Sequence, residues 1–316
     1  MGENAVIWTI GSLQVTAYGL CVGLSVLLGI VLTVLVCRRR QGAERGLSMC
    51  LWVLPLALIA GHLVYCLARI SSLVVDYQHG AALLAMPWMG GYTVYGCLLG
   101  GLLGVYISDR GHFAASLDTA MPGAMLTLCL ARCAEYFTGE GLGAWLDEEV
   151  SWFFPVGLCT YADEYYTEWR LPIFAWEAAV ALVLCVLALR LLKKEKKSGA
   201  VAETVLALLF VTQIILESLR QDEFIRFGFV RFNQLASAVG LLVLLALHIW
   251  RRLSGRGWQI ARSVMFVAGI GGVVAIEFGL DKSSIDNGLL YAAMVLMLVL
   301  LGTAVLREDG KGKQHE

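Results

Sequence analysis

The charged residues at the end of one apolar stretch are the part of this sequence best suited to chemistry. The stretch runs from Asp118 to Gly143, and its last part carries Arg132, Glu135 and Glu140 followed by closely spaced glycines. An ionised group close to the bilayer interior is costly, so it needs a counter-ion, water or a ligand. We therefore predict that these residues hold a polar ligand, or one another, at one membrane face.

Arg132 gives the most specific of these signals. Its guanidinium stays protonated and offers a planar fork of donors that suits phosphate. Glu135 follows three residues later on the same helical face, so it is equally able to be the counter-ion. Two interpretations stay open, a ligand-binding arginine and an internal Arg132–Glu135 pair that only stabilises helix packing. Glu140 lies between Gly139 and Gly141, where the backbone can turn sharply and leave room for a ligand.

The elements that must position these groups are membrane helices. The chain has 316 residues, of which 59% are hydrophobic and 16% are charged, whereas a soluble domain carries about 25% charged residues. The net charge of −1 provides no basic field, so no nucleic-acid partner is expected. Apolar runs long enough to cross a bilayer predict nine spans, at roughly 13–37, 48–68, 91–108, 117–137, 171–192, 200–219, 233–250, 262–280 and 287–306.

The positions of lysine and arginine predict the orientation of these spans. Most of the 24 basic residues fall in alternate loops, at 38–45, 110, 190–197, 251–262 and 307–313. The positive-inside rule therefore predicts an outer N-terminus, a cytoplasmic C-terminus and an outer position for Glu140. Two outer segments, 69–90 and 139–170, are longer than simple turns. The aromatic residues of the second suggest either a cap over a lipid-facing site or a belt that anchors the loop ends.

Further polar residues inside the apolar runs point to the same face. Glu177 lies within the fifth span and is expected to face the bundle interior, since a lone acid there is costly. Gln213 and Glu217 are four residues apart and share one face of the sixth span. Arg220 opens an arginine-containing loop on the outer side, which indicates an anionic partner. The histidines are isolated, so neither a metal site nor a cofactor is expected.

The order and spacing of these motifs resemble the prolipoprotein diacylglyceryl transferase family over roughly residues 13–250. The core family block, GR-x-GNF-x-NGE-x-x-G, stands here as ARCAEYFTGEGLG and matches at Arg132, Gly139, Glu140 and Gly143. The other matching positions are Tyr18 and Gly19, Asp118 and Pro122, Pro172 and Glu177, Glu217 and Arg220, and Gln234 and Ser237.

Several polar positions of the family are replaced in this chain. Tyr95 stands where the family has the histidine of its third span, and Glu135 stands for the asparagine that follows the core arginine. Gln213 replaces an arginine, Leu209 a tyrosine and Phe174 a glutamine. The chain therefore shares the order and spacing of the family's motifs, while several of the family's polar side chains are replaced.

The resemblance implies an all-α polytopic integral membrane protein in a bacterial cytoplasmic membrane. A seven-helix transferase-like core would occupy residues 1–250, and residues 251–316 would add two transmembrane helices and a cytoplasmic tail. The implied reaction moves the diacylglyceryl group of phosphatidylglycerol onto the lipobox cysteine thiol of preprolipoproteins, without a cofactor. Two alternatives stay open, a related transferase with an altered donor or acceptor and a non-catalytic lipid-binding scaffold on the same fold.

The resemblance also implies roles for individual residues. Arg132 would hold the phosphate, and Glu140 would orient the glycerol moiety or relay a proton. Glu135 is a possible substitute base, and Tyr95 would occupy the position of the family's histidine. The expected substrate contacts are Arg132, Tyr18, Gly139, Gly143, Glu217, Arg220 and Gln234.

Overall fold

The computed structural model describes most of the chain in two compact units. Described are residues 5–11, 13–69, 91–147, 152–162, 166–194, 197–221, 226–227, 230–251, 256–282 and 285–306. Apart from Arg69, the predicted outer segment 69–90 lies outside these residues. The first unit comprises residues 1–22, 128–184 and 203–316, and the second comprises residues 23–127 and 185–202.

Helices account for most of the described chain, and each α-helix matches a predicted span. All except α3 are long and apolar enough to cross a membrane, which agrees with the predicted all-α polytopic fold. The helices are α1 Ala17–Arg40, α2 Ala43–Ala68, α3 Val94–Ser108, α4 Phe113–Ala134, α5 Ile173–Lys194, α6 Ala200–Leu219, α7 Phe232–Trp250, α8 Arg256–Lys282 and α9 Asn287–Leu306.

The predicted start of the first span is wrong, because residues 13–16 form a strand. β1 (Val6–Ile10) pairs antiparallel with β2 (Leu13–Thr16), and α1 begins only at Ala17. The sequence Leu-Gln-Val-Thr alternates apolar and polar residues, a period of two that favours a strand over a helix. Two further hairpins join β3 (Leu158–Ala162) to β4 (Thr167–Arg170), and β5 (Arg226–Phe227) to β6 (Val230–Arg231).

In the second unit, α2 and α3 pack through a face of glycines. A Cβ atom added at Gly96 would lie 2.6 Å from a backbone oxygen of α2, and one added at Gly104 would lie 2.6 Å from a Cα atom of α2. Gly100 makes the same close approach, whereas a Cβ at Gly101 would meet nothing nearer than 3.9 Å. α2 and α3 therefore pack through a small-residue face, since only glycine lets these backbones come so close.

Asp118 caps the first turn of α6 within the second unit. Its buried carboxylate accepts hydrogen bonds from the backbone N–H groups of Gly199, at 2.7 Å, and Ala202, at 2.8 Å. Helix N-termini leave such N–H groups without helical partners, and their partial positive charge favours a carboxylate. Asp118 thereby holds the start of the helix that carries Gln213 and Glu217.

Candidate functional site

Two arginines and two glutamates meet in the interior of the first unit. Arg132 lies in the last turn of α4, and Glu135 begins the short 3-10 turn that follows it. Glu177 lies near the start of α5, and Arg220 comes directly after α6. None of the four exposes more than 7% of its surface. Burial of four ionisable groups is tolerated only if their charges compensate one another.

The four side chains form a closed ring of alternating charge, which we call the charge ring. Arg132 donates through Nη1 to Glu135, and its Nε lies 3.1 Å from Oε2 of Glu177. Arg220 donates through Nη1 to the same Oε2 atom at 2.9 Å, and its Nη2 lies 3.6 Å from Oε2 of Glu135. Two positive and two negative charges therefore balance in the ring.

Arg132 and Glu135 are paired, as one of the two interpretations left open by the sequence requires, but no local spacing indicated the second partner of Arg132. Glu177 contacts both arginines, and Gln213 donates to its other oxygen at 2.5 Å. The prediction that Glu177 faces the interior is confirmed, since its side chain is buried. One feature of the sequence could have indicated this role of Glu177. It is an acid in an apolar run, and no basic residue lies one turn away on its own helix to act as its partner.

The glycine turn after the ring fits closely against it. Gly139 and Gly141 have positive φ angles of 77° and 69°, a conformation that side chains disfavour. A Cβ at Gly141 would lie 2.5 Å from Oε2 of Glu135. Gly143 forms an antiparallel bridge with Arg220, and a Cβ there would lie 2.8 Å from the carbonyl oxygen of Leu219. The turn thus ties the end of α4 to the end of α6.

Tyr18 and Glu140 lie beside the charge ring. Tyr18 is the second residue of α1 and is half-buried, within electrostatic range of Arg132, Glu135 and Glu140. Glu140 is exposed between its two flanking glycines. The structure therefore brings a phenol and a solvent-accessible carboxylate to the buried charges.

A second set of polar contacts lies between the end of α6 and the start of α7. Glu217 is fully buried and accepts a hydrogen bond from Nδ2 of Asn233 at 2.8 Å. Arg231 donates to the backbone carbonyl of Arg220, and its own N–H donates to Oε1 of Gln234 at 2.9 Å. Asn233 was not predicted, although it immediately precedes the predicted Gln234.

Tyr95 is placed in the second unit. It lies buried in the first turn of α3, which Thr93 caps by accepting a hydrogen bond from the N–H of Gly96 at 3.1 Å. Of the predicted site residues, the first unit contains Arg132, Glu135, Glu140, Tyr18, Gly139, Gly143, Glu217, Arg220 and Gln234.

Among the residues that the structure describes, eight helices of membrane-spanning length and a buried ring of charges define a multi-pass membrane protein with a polar interior site. The sequence profile of the prolipoprotein diacylglyceryl transferase family matches residues 5–250, and the chain belongs to this family.

Its relatives include enzymes of Clostridium species named phosphatidylglycerol–prolipoprotein diacylglyceryl transferase. The protein of Clostridium botulinum (strain Loch Maree / Type A3) is 26% identical over 248 residues, which cover 76% of this chain and 94% of the relative. That of Clostridium kluyveri (strain NBRC 12016) is 26% identical over 265 residues, which cover 81% of this chain and 99% of the relative. Residues 251–316 lie beyond the family match.

Proposed function

We propose that this chain transfers the diacylglyceryl group of phosphatidylglycerol to the lipobox cysteine thiol of preprolipoproteins. The observation that supports this most strongly is the pair of buried guanidiniums, Arg132 and Arg220, that share one carboxylate of Glu177. Guanidinium groups bind phosphate through paired, charge-assisted hydrogen bonds. The names of the relatives supply the donor and the acceptor.

In the proposed reaction, the thiol sulfur forms a bond to the glyceryl carbon that carries the phosphate. The bond between this carbon and the phosphate oxygen breaks, and glycerol phosphate leaves with the negative charge. The thiol proton passes to a base, because the thiolate is the reactive form. Fixed positive charge at the departing phosphate lowers the barrier, since charge builds up there in the transition state.

We propose that the phosphate enters the charge ring by replacing the carboxylate of Glu135. Glu177 would stay in place, because Gln213 also holds it. The displaced Glu135 carboxylate then becomes available as a base for the thiol. Oxygen atoms of the phosphate would take over the contacts that Arg132 and Arg220 make with Glu135.

The remaining predicted residues receive supporting roles in this proposal. Glu140, exposed in the glycine turn, orients the glycerol moiety or relays a proton, with Tyr18 beside it. Gly139 and Gly143 leave room for the headgroup. Glu217 adds a further negative charge within electrostatic range of Arg132 and Arg220. Tyr95 stays a prediction that rests on its position in the family pattern.

We further propose that the protein lies in a bacterial cytoplasmic membrane, with an outer N-terminus and a cytoplasmic C-terminus. The distribution of lysine and arginine supports this orientation. Residues 1–250 would form the transferase-like region with outer-face loops at 69–90 and 139–170. Residues 251–316 would add two helices and a cytoplasmic tail.

A second candidate function is lipid binding without transfer. It is favoured by one specific observation, that both guanidiniums of the charge ring already have carboxylate partners. Glu135, which provides one of these carboxylates, stands where the family has an uncharged asparagine. If the ring keeps both carboxylates, it binds a phosphate headgroup only weakly. Such weak binding is expected of a lipid-binding scaffold or of a transferase that uses another donor.

The experiment combines purified protein in phosphatidylglycerol vesicles with a synthetic lipobox peptide, and mass spectrometry follows the peptide. We expect the peptide to gain one diacylglyceryl group and the solution to gain glycerol phosphate. A peptide with serine in place of cysteine and vesicles of phosphatidylcholine serve as controls. Binding of phosphatidylglycerol without any change in peptide mass would support the scaffold, and transfer from phosphatidylcholine would indicate an altered donor.

A further inference from the structure

A carboxylate from the helices beyond the family match reaches the polar contacts of the first unit. Glu277 lies on α8 and exposes 9% of its surface. Its Oε1 atom accepts a hydrogen bond from Nε2 of Gln234 at 2.6 Å. A buried acid in a membrane-spanning helix is costly without such a partner, so the contact indicates a specific role.

Every polar atom of the Gln234 side chain has an intramolecular partner. Its Oε1 accepts from the backbone N–H of Arg231 at 2.9 Å. Its Nε2 lies 3.3 Å from the carbonyl oxygen of Ile214 on α6, in addition to its contact with Glu277. The amide therefore connects α6, the start of α7 and α8, and it is fully engaged within the protein.

The contacts continue from Gln234 to the charge ring. Arg231, whose backbone N–H is held by Gln234, donates from its guanidinium to the carbonyl oxygen of Arg220. The Glu277 carboxylate is also within electrostatic range of Arg231. Tyr291 on α9 is within electrostatic range of the same arginine. A negative charge on α8 thus balances the arginine that fixes the backbone of Arg220.

We propose that Glu277 is a positioning residue for the headgroup site. Its carboxylate holds Gln234 and Arg231, and these in turn fix Arg220 in the geometry that receives the phosphate. The two helices beyond the family match are, on this proposal, part of the binding site. The inference rests on the proposed function only in taking phosphatidylglycerol as the ligand.

The test compares Glu277→Ala and Glu277→Gln with a control on the same helix, Asp281→Ala, whose carboxylate is exposed. We expect Glu277→Ala to raise the KM for phosphatidylglycerol roughly tenfold, because Arg220 is displaced, with a smaller effect on kcat. Glu277→Gln should raise KM only about threefold, because its carboxamide oxygen still accepts from Gln234. Asp281→Ala should leave both constants unchanged. A KM for Glu277→Ala equal to that of the control would overturn the proposal.

Direct binding separates this inference from the proposed function. The stabilisation of detergent-solubilised protein by added phosphatidylglycerol is measured by thermal unfolding, which requires no transfer. If the wild type binds the lipid but modifies no peptide, the proposed function fails, and weaker binding by the Glu277 variants still supports the inference. If Glu277→Ala does not fold, the isosteric Glu277→Gln decides: weaker binding than Asp281→Ala supports the proposal, and equal binding overturns it.

Discussion

The charge ring and the glycine face of α2 and α3 hold segments of this chain together by opposite means. In the glycine face, backbones approach so closely that an added Cβ atom has no space. In the charge ring, long side chains reach one another through hydrogen bonds and ion pairs. The close backbone packing of the glycine face contains no group that a ligand could replace. A carboxylate in the ring, by contrast, can be replaced by another anion of similar shape.

This difference assigns different tasks to the two regions. The glycine face contributes stability, and substitutions there should act on folding. The charge ring holds charges whose burial is costly but whose partners can change, so substitutions there should act on ligand binding and transfer as well as on stability. Substitutions in each region separate these expectations.

The largest effect is expected for Arg220→Ala. It removes a partner from Glu177 and a cation from the proposed phosphate site. We predict roughly a hundredfold loss of transfer, the scale seen when a donor to developing charge is removed, and a loss of about 3–5 kcal/mol in stability from the broken buried pair. Peptide mass and thermal unfolding provide the readouts. Arg190→Ala, at an exposed position on α5, is the control; undiminished transfer by Arg220→Ala would place the site elsewhere.

The glycine face is tested by two neighbouring substitutions. Gly100→Ala should destabilise the protein by about 1–3 kcal/mol, because the new methyl group would collide with the backbone of α2. Gly101→Ala should not, since its nearest neighbour would be a Val53 methyl at 3.9 Å. Unfolding in detergent micelles measures both. Equal stabilities of the two variants would show that the glycine face is not tightly packed.

Glu135→Asn restores the family's residue and changes the charge of the ring. We predict phosphatidylglycerol binding that is about tenfold tighter, or roughly 1.4 kcal/mol, because the competing carboxylate is gone. Lipid-dependent thermal stabilisation measures the affinity, and the transfer assay measures kcat. A lower kcat with tighter binding would identify Glu135 as the base. Weaker binding would contradict the proposed exchange of carboxylate for phosphate.

The smallest effect is expected at the turn between α3 and α4. Partial burial opposes ionisation of Asp109, but hydrogen bonds from Ser116 and His112 outweigh it and lower the pKa of this carboxyl. A lowered folded pKa gives stabilisation that is complete above the unfolded value, about 3.9, and is lost as the pH falls through the folded value. We predict that Asp109→Asn costs roughly 0.3–1 kcal/mol at pH 7, because the amide keeps the cap but loses the negative charge at the helix start.

Unfolding at two pH values tests this prediction. The difference between wild type and Asp109→Asn should shrink below about pH 4, where the unfolded aspartate is protonated. Asp281→Asn, at an exposed position, should show no difference at either pH. A gap that persists at acid pH would mean that the charge of Asp109 does not stabilise the turn.

The sequence was sufficient to predict what depends on local pattern. Each apolar run became a helix, and the three-residue spacing placed Glu135 on the face of Arg132, where the two residues pair. The start of α1 was misplaced because β2 is short and its apolar residues merge with the helical run.

Contacts between helices distant in sequence were beyond such reasoning. The role of Glu177 as partner of both arginines depends on how α5 is rotated against α4 and α6, which no local spacing encodes. The same holds for Glu277, which lies 43 residues from its partner Gln234. An acid inside an apolar run indicates that a polar partner is needed, but only the fold determines which residue is that partner.

Substitution of Arg132 tests the central proposal most directly. Wild type, Arg132→Lys and Arg132→Ala are compared in phosphatidylglycerol vesicles with the lipobox peptide, and the rate of diacylglyceryl transfer is measured by mass. We predict transfer by the wild type, a strongly reduced rate for lysine, which keeps the charge but lacks the planar fork, and the lowest rate for alanine. Equal rates for wild type and Arg132→Ala would contradict the assignment of the charge ring as the headgroup site.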